Sequence, residues 1–222
     1  MSKKDQSILF FGKAGDNYVE RALAFCENNF SDVAAFLGTW GEPFPGNLED
    51  WQGDHIFSYL SRWIIPADLL GRTTGATLNF HPASPEYPGI GCNNFALYDG
   101  ATEYGATCHR MARAVDTGEI VAVKRFPIFE SDTVASLLER TYDFQLTLFY
   151  DVVGRILLDQ DLPVSDEKWA SKVHTRRELN DLGRIDPSMS PEEIARRVRA
   201  TTFGAWKPTV ELSDHCFELK SE

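Results

Sequence analysis

Positive charge is scarce in this chain of 222 residues: 22 Lys and Arg stand against 33 Asp and Glu, for a formal charge of −11 at pH 7. That balance argues against any partner held mainly by phosphate neutralisation, so nucleic acid is not expected. Cysteine is equally sparse. Cys26, Cys92, Cys108 and Cys216 form no Cys-x-x-Cys pair and share no metal-ligand spacing with the five histidines, so reduced thiols are expected and no metal. Long apolar runs are missing as well. The first, residues 8–11, is too short for a signal-peptide core or a membrane span. A cytoplasmic protein with no membrane partner is expected. Repeats, low-complexity tracts and runs of five like charges are absent too.

The chain does contain an ordinary globular composition, 43% hydrophobic and 25% charged, in a length suited to one domain or to one domain with an extension. Residues 8–11 read as a buried strand. The glycine turn 12–17 leads into a helix over 18–28, which is the opening of an α/β chain. Glycines in that turn resemble a phosphate cradle. Asp16 is also a good N-cap, and its carboxylate would repel a phosphate there. A second strand spans 33–37. The stretch 38–53 holds Trp40, Phe44 and Trp51 and is too irregular for one element; it is either a stacking surface for a flat ligand or core packing. A third strand is expected over 54–60, then a short helix over 67–70.

Further on, 73–81 reads as a strand, 91–98 as a short helix, and 105–111 and 119–128 as two strands joined by the turn 114–118. So short a turn makes those two antiparallel neighbours, and the sheet mixed. Residues 132–158 carry an apolar stripe at helical spacing, with Asp132 as the expected N-cap. In the tail, Ser190-Pro191-Glu192-Glu193 is a helix start with a capping box, and the helix runs to about 200. Its Arg196, Arg197 and Arg199, with Arg176 and Arg177, form either a solvated face or a local basic patch. The fold expected is α/β: a Rossmann-like, mixed, mostly parallel sheet with helices on both faces, over residues 1–160, and a short C-terminal extension over 161–222.

Chemistry concentrates in Leu78-Asn79-Phe80-His81-Pro82, where the strand runs into a Pro-rich loop. Side chains alternate along a strand, so Asn79 and His81 project to one side near its C-terminal edge, where open α/β sheets place ligands. An amide donor beside an imidazole suits acyl transfer to an amine, which needs a donor for the oxyanion and a route for the amine proton.

Three features stand in order: Asn79-x-His81-Pro82 at a strand end, Gly105-x-Thr107-x-His109 in the next strand, and Asp116-x-Gly118 in the turn. Together they resemble the formyltransferases that use 10-formyltetrahydrofolate as donor, over residues 7–160 and more weakly over 175–206. The resemblance implies that Asn79 holds the formyl oxygen, that His81 assists proton transfer, and that Asp116 orients and supports His81. His109 stands behind them. Arg62, Trp63, Ile64 and Ile65 resemble one wall of the family's pterin pocket, and Met111, Ala112 and Val115 the opposite wall. Loop 83–89 is one residue shorter than the family's usual form. Trp40, Tyr87 and Gly89 are the candidates for the amine acceptor.

Within that family, an acidic chain with some 60 residues after the long helix does not suit methionyl-tRNA as acceptor. Asp16 does not suit a ribose phosphate, as in glycinamide ribonucleotide. The expected acceptor is the amino group of a nucleotide-linked amino-dideoxy sugar, with reduced folate as the other partner; the class also allows a homodimer. Glycinamide ribonucleotide or another small amine, hydrolysis of the folate donor, and a non-catalytic folate or nucleotide-sugar binder are the alternatives.

Overall fold

A computed structural model describes residues 3–46 and 48–220. The elements run β1 (Lys4–Lys13), α1 (Asn17–Asn29), β2 (Phe30–Gly38), β3 (His55–Tyr59), α2 (Ala67–Leu70), β4 (Thr77–His81), α3 (Cys92–Asp99), β5 (Glu103–Arg110), β6 (Ile120–Pro127) and α4 (Val134–Leu157). The C-terminal part adds α5 (Arg176–Leu182), β7 (Arg184–Ile185), α6 (Pro191–Thr201), β8 (Thr209–Leu212) and β9 (His215–Glu218).

Strands β1 to β6 form one sheet in the order β2-β1-β3-β4-β5-β6. The first four are mutually parallel, and β5 and β6 run antiparallel. Alternation along each strand builds two different faces. Ile8, Phe10, Phe57, Tyr59, Leu78, Phe80, Ala106 and Cys108 point to the first, which is covered by Val19, Ala22 and Cys26 of α1 and by a stripe of α4 from Leu146 to Ile156. Phe149 of α4 is its hub, with the rings of Phe10, Phe57, Tyr59 and Phe80 at centroid distances of 4.8 to 6.3 Å. Replacing it with Ala would cost about 3–5 kcal/mol.

On the second face, Leu9, Phe11 and Ile56 meet Leu48, Ile65 and Leu69. Among the described residues only the four-residue α2 is helical there; the cover also draws on loops, including Phe44, Trp51, Trp63 and Met111. Loop 38–53 is therefore largely core packing. Strand 73–81 is shorter than expected, because Thr74 N–H and Gly75 N–H bond to the Gly53 and Asp54 carbonyls and spend that stretch on a turn. The N-cap of α4 is Thr133, not Asp132: the Thr133 hydroxyl accepts from Ser136 N–H, while Asp132 accepts from Phe129 N–H and pairs with Arg140 through both oxygens at 2.8 Å. Likewise Ser190 accepts from Glu193 N–H, but the Glu193 carboxylate goes to Tyr98 and Arg197, so the return half of that box is replaced by tertiary contacts.

The extension packs through α6 and α5 on α3, in a cluster with Leu179, Leu182, Ala200 and Phe95. The three arginines of α6 bond to backbone carbonyls. Arg196 donates to the Tyr98 carbonyl, Arg197 to those of Asp181, Leu182 and Arg184, and Arg199 to those of Phe129 and Asp132. On α6 these three side chains join elements together.

Candidate active site

Asn79 and His81 alternate with the buried Leu78 and Phe80 and so face the second side of the sheet. Antiparallel pairing sets His109 of β5 opposite Asn79, and Thr107 opposite His81. The Thr107 hydroxyl donates to the Ala83 carbonyl at 2.6 Å and anchors the start of the Pro-rich loop. The turn between β5 and β6 then folds back over the sheet. At Asp116 the backbone takes φ +51°, a left-handed conformation that Asp tolerates better than most residues. Gly118 is required nearby, because a Cβ there would lie 1.7 Å from the Arg110 carbonyl oxygen.

Folding back brings the expected residues together. His81 Nδ1 is 3.6 Å from Asp116 Oδ2, and His109 Nε2 is 3.5 Å from Asp116 Oδ1. Gly89 N–H donates to Asp116 Oδ2 at 3.2 Å. His109 Nδ1–H donates to the Arg110 carbonyl at 2.9 Å, which leaves Nε2 of the neutral ring to accept from Asn79 Nδ2 at 3.0 Å. One amide hydrogen of Asn79 is thereby fixed, and the other is free for a ligand. His81 is 6% exposed, Asp116 5% and His109 2%; Asn79 is half-buried.

Burial pushes the His81 imidazole below its ordinary pKa and outweighs the opposing pull of Asp116. For Asp116 burial works upward, but the neighbouring His81 and the Gly89 N–H help to hold the carboxyl below its usual range. The second nitrogen of His81 lies 3.4 Å from the Tyr87 carbonyl and 3.8 Å from Cys92 Sγ. Burial raises the Cys92 thiol to about 12, so it stays neutral.

The two sets of pocket candidates are less uniform. Ile64 is 73% exposed, and Ala112 and Val115 are also exposed. Trp63, Ile65 and Met111 share the cluster behind them. The Trp63 ring covers Gly38, packs edge-on against Phe11 and Phe44, and donates Nε1–H to the Glu42 carbonyl, so its position is that of a support behind the wall. Arg62 sits over the Trp40 ring at 5.0 Å, and Trp40 is 69% exposed, a platform on which a flat group can stack. Tyr87 is corrected: its ring is buried between Tyr104 and His174 and offers no surface to an acceptor. Gly89 is likewise committed, its N–H to Asp116 and its Cα against the His174 carbonyl.

Sequence reasoning passed over Trp169, whose ring stands edge-to-face to His81 and His109 at 5.7 and 5.0 Å. A lone aromatic in an irregular tail carried no signal.

Residues 47–153 match the family model described as formyl transferase. The chain is 32% identical over 158 residues to GDP-perosamine N-formyltransferase of Brucella melitensis, an alignment covering 71% of this chain and 60% of that protein. The chain thus spans about 60% of the length of the curated relatives it matches first. Among solved structures it shares its fold with a 4-N formyltransferase from Francisella tularensis, at TM-score 0.80 and 16% identity, over 97% of both chains. It also resembles the N-formyltransferase of Helicobacter canadensis in complex with folinic acid and dTDP-3-aminofucose, at TM-score 0.73 and 19% identity, over 94% of this chain and 84% of the other.

Proposed function

We propose that the chain transfers a formyl group from 10-formyltetrahydrofolate to the amino group of a nucleotide-linked amino-dideoxy sugar. The observation that carries this reading is the assembly of Asn79, His81 and Asp116 over one face of the sheet, with the imidazoles of His81 and His109 each within 3.6 Å of the Asp116 carboxylate. In the reaction the bond from the formyl carbon to N10 of the donor breaks and a bond to the amine nitrogen forms; the amine gives up one proton and the departing N10 takes one. Asn79 Nδ2, held on its other side by His109, donates to the formyl oxygen as charge develops there. His81, neutral at physiological pH, accepts the amine proton, and Asp116 stabilises the imidazolium that results.

Ile64, Ala112 and Val115 are exposed and Arg62 is half-buried; together they would hold the folate, the three apolar side chains against its flat heterocycle. Trp40 under Arg62 would take the acceptor's base. Named relatives that bind a folate derivative with a dTDP-sugar, or act on GDP-perosamine, support the acceptor class. The domain reading follows: residues 1–160 carry the chemistry and 161–222 brace it. No helix among the described residues is long and apolar enough to cross a membrane; a cytoplasmic, homodimeric enzyme is the setting proposed. Incubation with 10-formyltetrahydrofolate and a panel of amines tests it, by mass detection of the formylated product and release of tetrahydrofolate. Release of formate without any formylated amine would replace transfer by hydrolysis.

A further inference from the structure

Between α4 and α5 the chain crosses the active site as an extended strap with no helix and almost no pairing of its own. Its backbone bonds go instead to the two loops that build the site. Ser165 N–H donates to the Ile120 carbonyl, just past the Asp116 turn, at 2.9 Å. Ala170 and His174 N–H donate to the Pro85 and Pro88 carbonyls, and Ile90 N–H returns a bond to the His174 carbonyl, each at 2.9 Å. Arg125 of β6 pairs with Glu167 of the strap and with Glu86 of the Pro-rich loop, tying the same two segments by charge. Trp169 lies at the centre. Its Nε1–H donates to the Gly118 carbonyl at 2.8 Å, two residues from Asp116, and its ring closes over His81 and His109.

We propose that this strap is part of the active site, and that Trp169 is a positioning residue that holds Asp116 against His81 and keeps water from the imidazole. The inference rests on the formyl transfer proposed above and assigns the C-terminal extension a role in it. Three observations carry it together. Asp116 sits in a left-handed conformation, and its turn is pinned from outside by the indole bond to Gly118 as well as by the Gly89 N–H on the carboxylate. Both loops that meet at Asp116, the turn itself and Gly89 of the Pro-rich loop, are bonded to the strap and not to the sheet alone. The ring of Trp169 supplies the apolar cover over a histidine that is otherwise surrounded by polar groups. Those are Asp116 on the turn, His109 on β5, Cys92 at the start of α3 and the Tyr87 carbonyl.

Trp169→Ala removes both the cover and the hydrogen bond; Trp169→Phe keeps a ring over His81 and removes the hydrogen bond alone. With water admitted, the His81 ring, followed by NMR without any substrate, should titrate higher in Trp169→Ala than in the native protein, toward the ordinary value near 6.5. In Trp169→Phe it should stay within a few tenths of the native value. Formyl transfer should fall about a hundredfold in kcat for Trp169→Ala and about tenfold for Trp169→Phe, with the KM for the folate donor changing less than about twofold. A fall in KM-limited rate alone would assign Trp169 to substrate binding and overturn the proposal, as would a folded Trp169→Ala with the native titration and kcat. If Trp169→Ala does not fold, the kcat of Trp169→Phe decides, a native value overturning it. If the native protein formylates no amine, the titration shift still decides the strap's contact with His81, and the failure is that of the functional reading.

Discussion

His81 Nδ1 and Asp116 Oδ2 lie 3.6 Å apart inside the protein, yet the Pro-rich loop, α3 and β5 separate them along the chain. Burial lowers the imidazole and the carboxylate raises it, with burial the larger. A His whose folded pKa is lowered is neutral throughout the range above that value and becomes charged only as pH falls through it. The rate at limiting substrate should therefore be flat near neutrality and fall on an acid limb below pH 6.5. Asp116→Asn removes the negative charge that raises the imidazole, so the limb should move to lower pH while kcat drops by about a hundredfold, the scale expected for losing support of an acid–base group. A limb left in place by Asp116→Asn would mean that His81 is not the group titrating.

Asn79→Ala and His81→Ala should each lower turnover by about a hundredfold or more, for loss of an oxyanion donor and of a proton acceptor. Folding should persist, since neither side chain belongs to an apolar cluster. His109→Ala should reproduce part of the Asn79 loss, because the amide loses the partner that fixes one of its hydrogens. Single-turnover rates on the three variants check this, and near-native rates for Asn79→Ala and His81→Ala would remove the assignment.

Asp132 shows how an element can be legible in the sequence while its chemistry is not. Asp132-Thr133 offers two adjacent capping side chains, and the extended backbone at Thr133, φ −102° and ψ 171°, selects the second. Asp132 is then free to take Arg140, which, with further hydrogen bonds, holds its carboxyl at about 2. Relative to the usual 3.8 that is worth about 2 kcal/mol. The stabilisation is full above the unfolded value and is lost as pH falls through 2, so Asp132→Asn should cost about 2 kcal/mol at pH 7 and far less near pH 2. Urea unfolding at the two pH values measures it; an equal cost at both would point to packing instead of charge.

The same division runs through the site. Alternation was enough to put Asn79 and His81 on one face, because Leu78 and Phe80 between them are unambiguously apolar. The Asp-x-Gly turn could be read as a turn, but its return over the sheet depends on φ at Asp116 and on Gly118 fitting against Arg110, neither of which has a periodic signature. Two tail elements did leave a readable trace. Thr175-x-x-Glu178 is a capping box, found at the start of α5, and Ser213-Asp214, both with positive φ, make the two-residue turn of the β8–β9 hairpin. Trp63 was misplaced because an aromatic between strand and helix looks alike whether it faces ligand or core.

That placement changes what substitution should do at the folate wall. Ile64→Asp puts a charge on an exposed side chain that a bound heterocycle would desolvate, and should weaken a reduced folate analogue by tenfold or more with little change in Tm. Trp63→Asp should instead unfold the second face, since its ring fills the space over Gly38 and beside Phe11 and Phe44. Calorimetric titration with thermal unfolding separates the two. Native affinity in a folded Ile64→Asp would place the pterin elsewhere.

The acceptor is decided at the first turn of the sheet. Asp16 accepts from Tyr18 and Val19 N–H as the N-cap of α1 and pairs with Lys13 at 2.7 Å. The helix N-terminus that could have met a phosphate is thus already filled by a carboxylate, and the lysine that could have assisted is neutralised by it. A ribose phosphate brought there would face a buried negative charge, so kcat/KM should favour a nucleotide-linked 4-amino-4,6-dideoxy sugar over glycinamide ribonucleotide by a wide margin. Asp16→Ser keeps a capping oxygen and releases Lys13. If the sugar nucleotide binds elsewhere, through Trp40, this variant should formylate the sugar at close to the native rate and show, at most, a gain on glycinamide ribonucleotide. Trp40→Ala should do the opposite, raising the KM for the nucleotide sugar about tenfold, the scale of one lost base stack, with the small-amine rate unchanged. Measuring both variants on both acceptors settles the matter: a native preference for glycinamide ribonucleotide, or a large loss of sugar formylation in Asp16→Ser, would put the acceptor at the turn and overturn the choice.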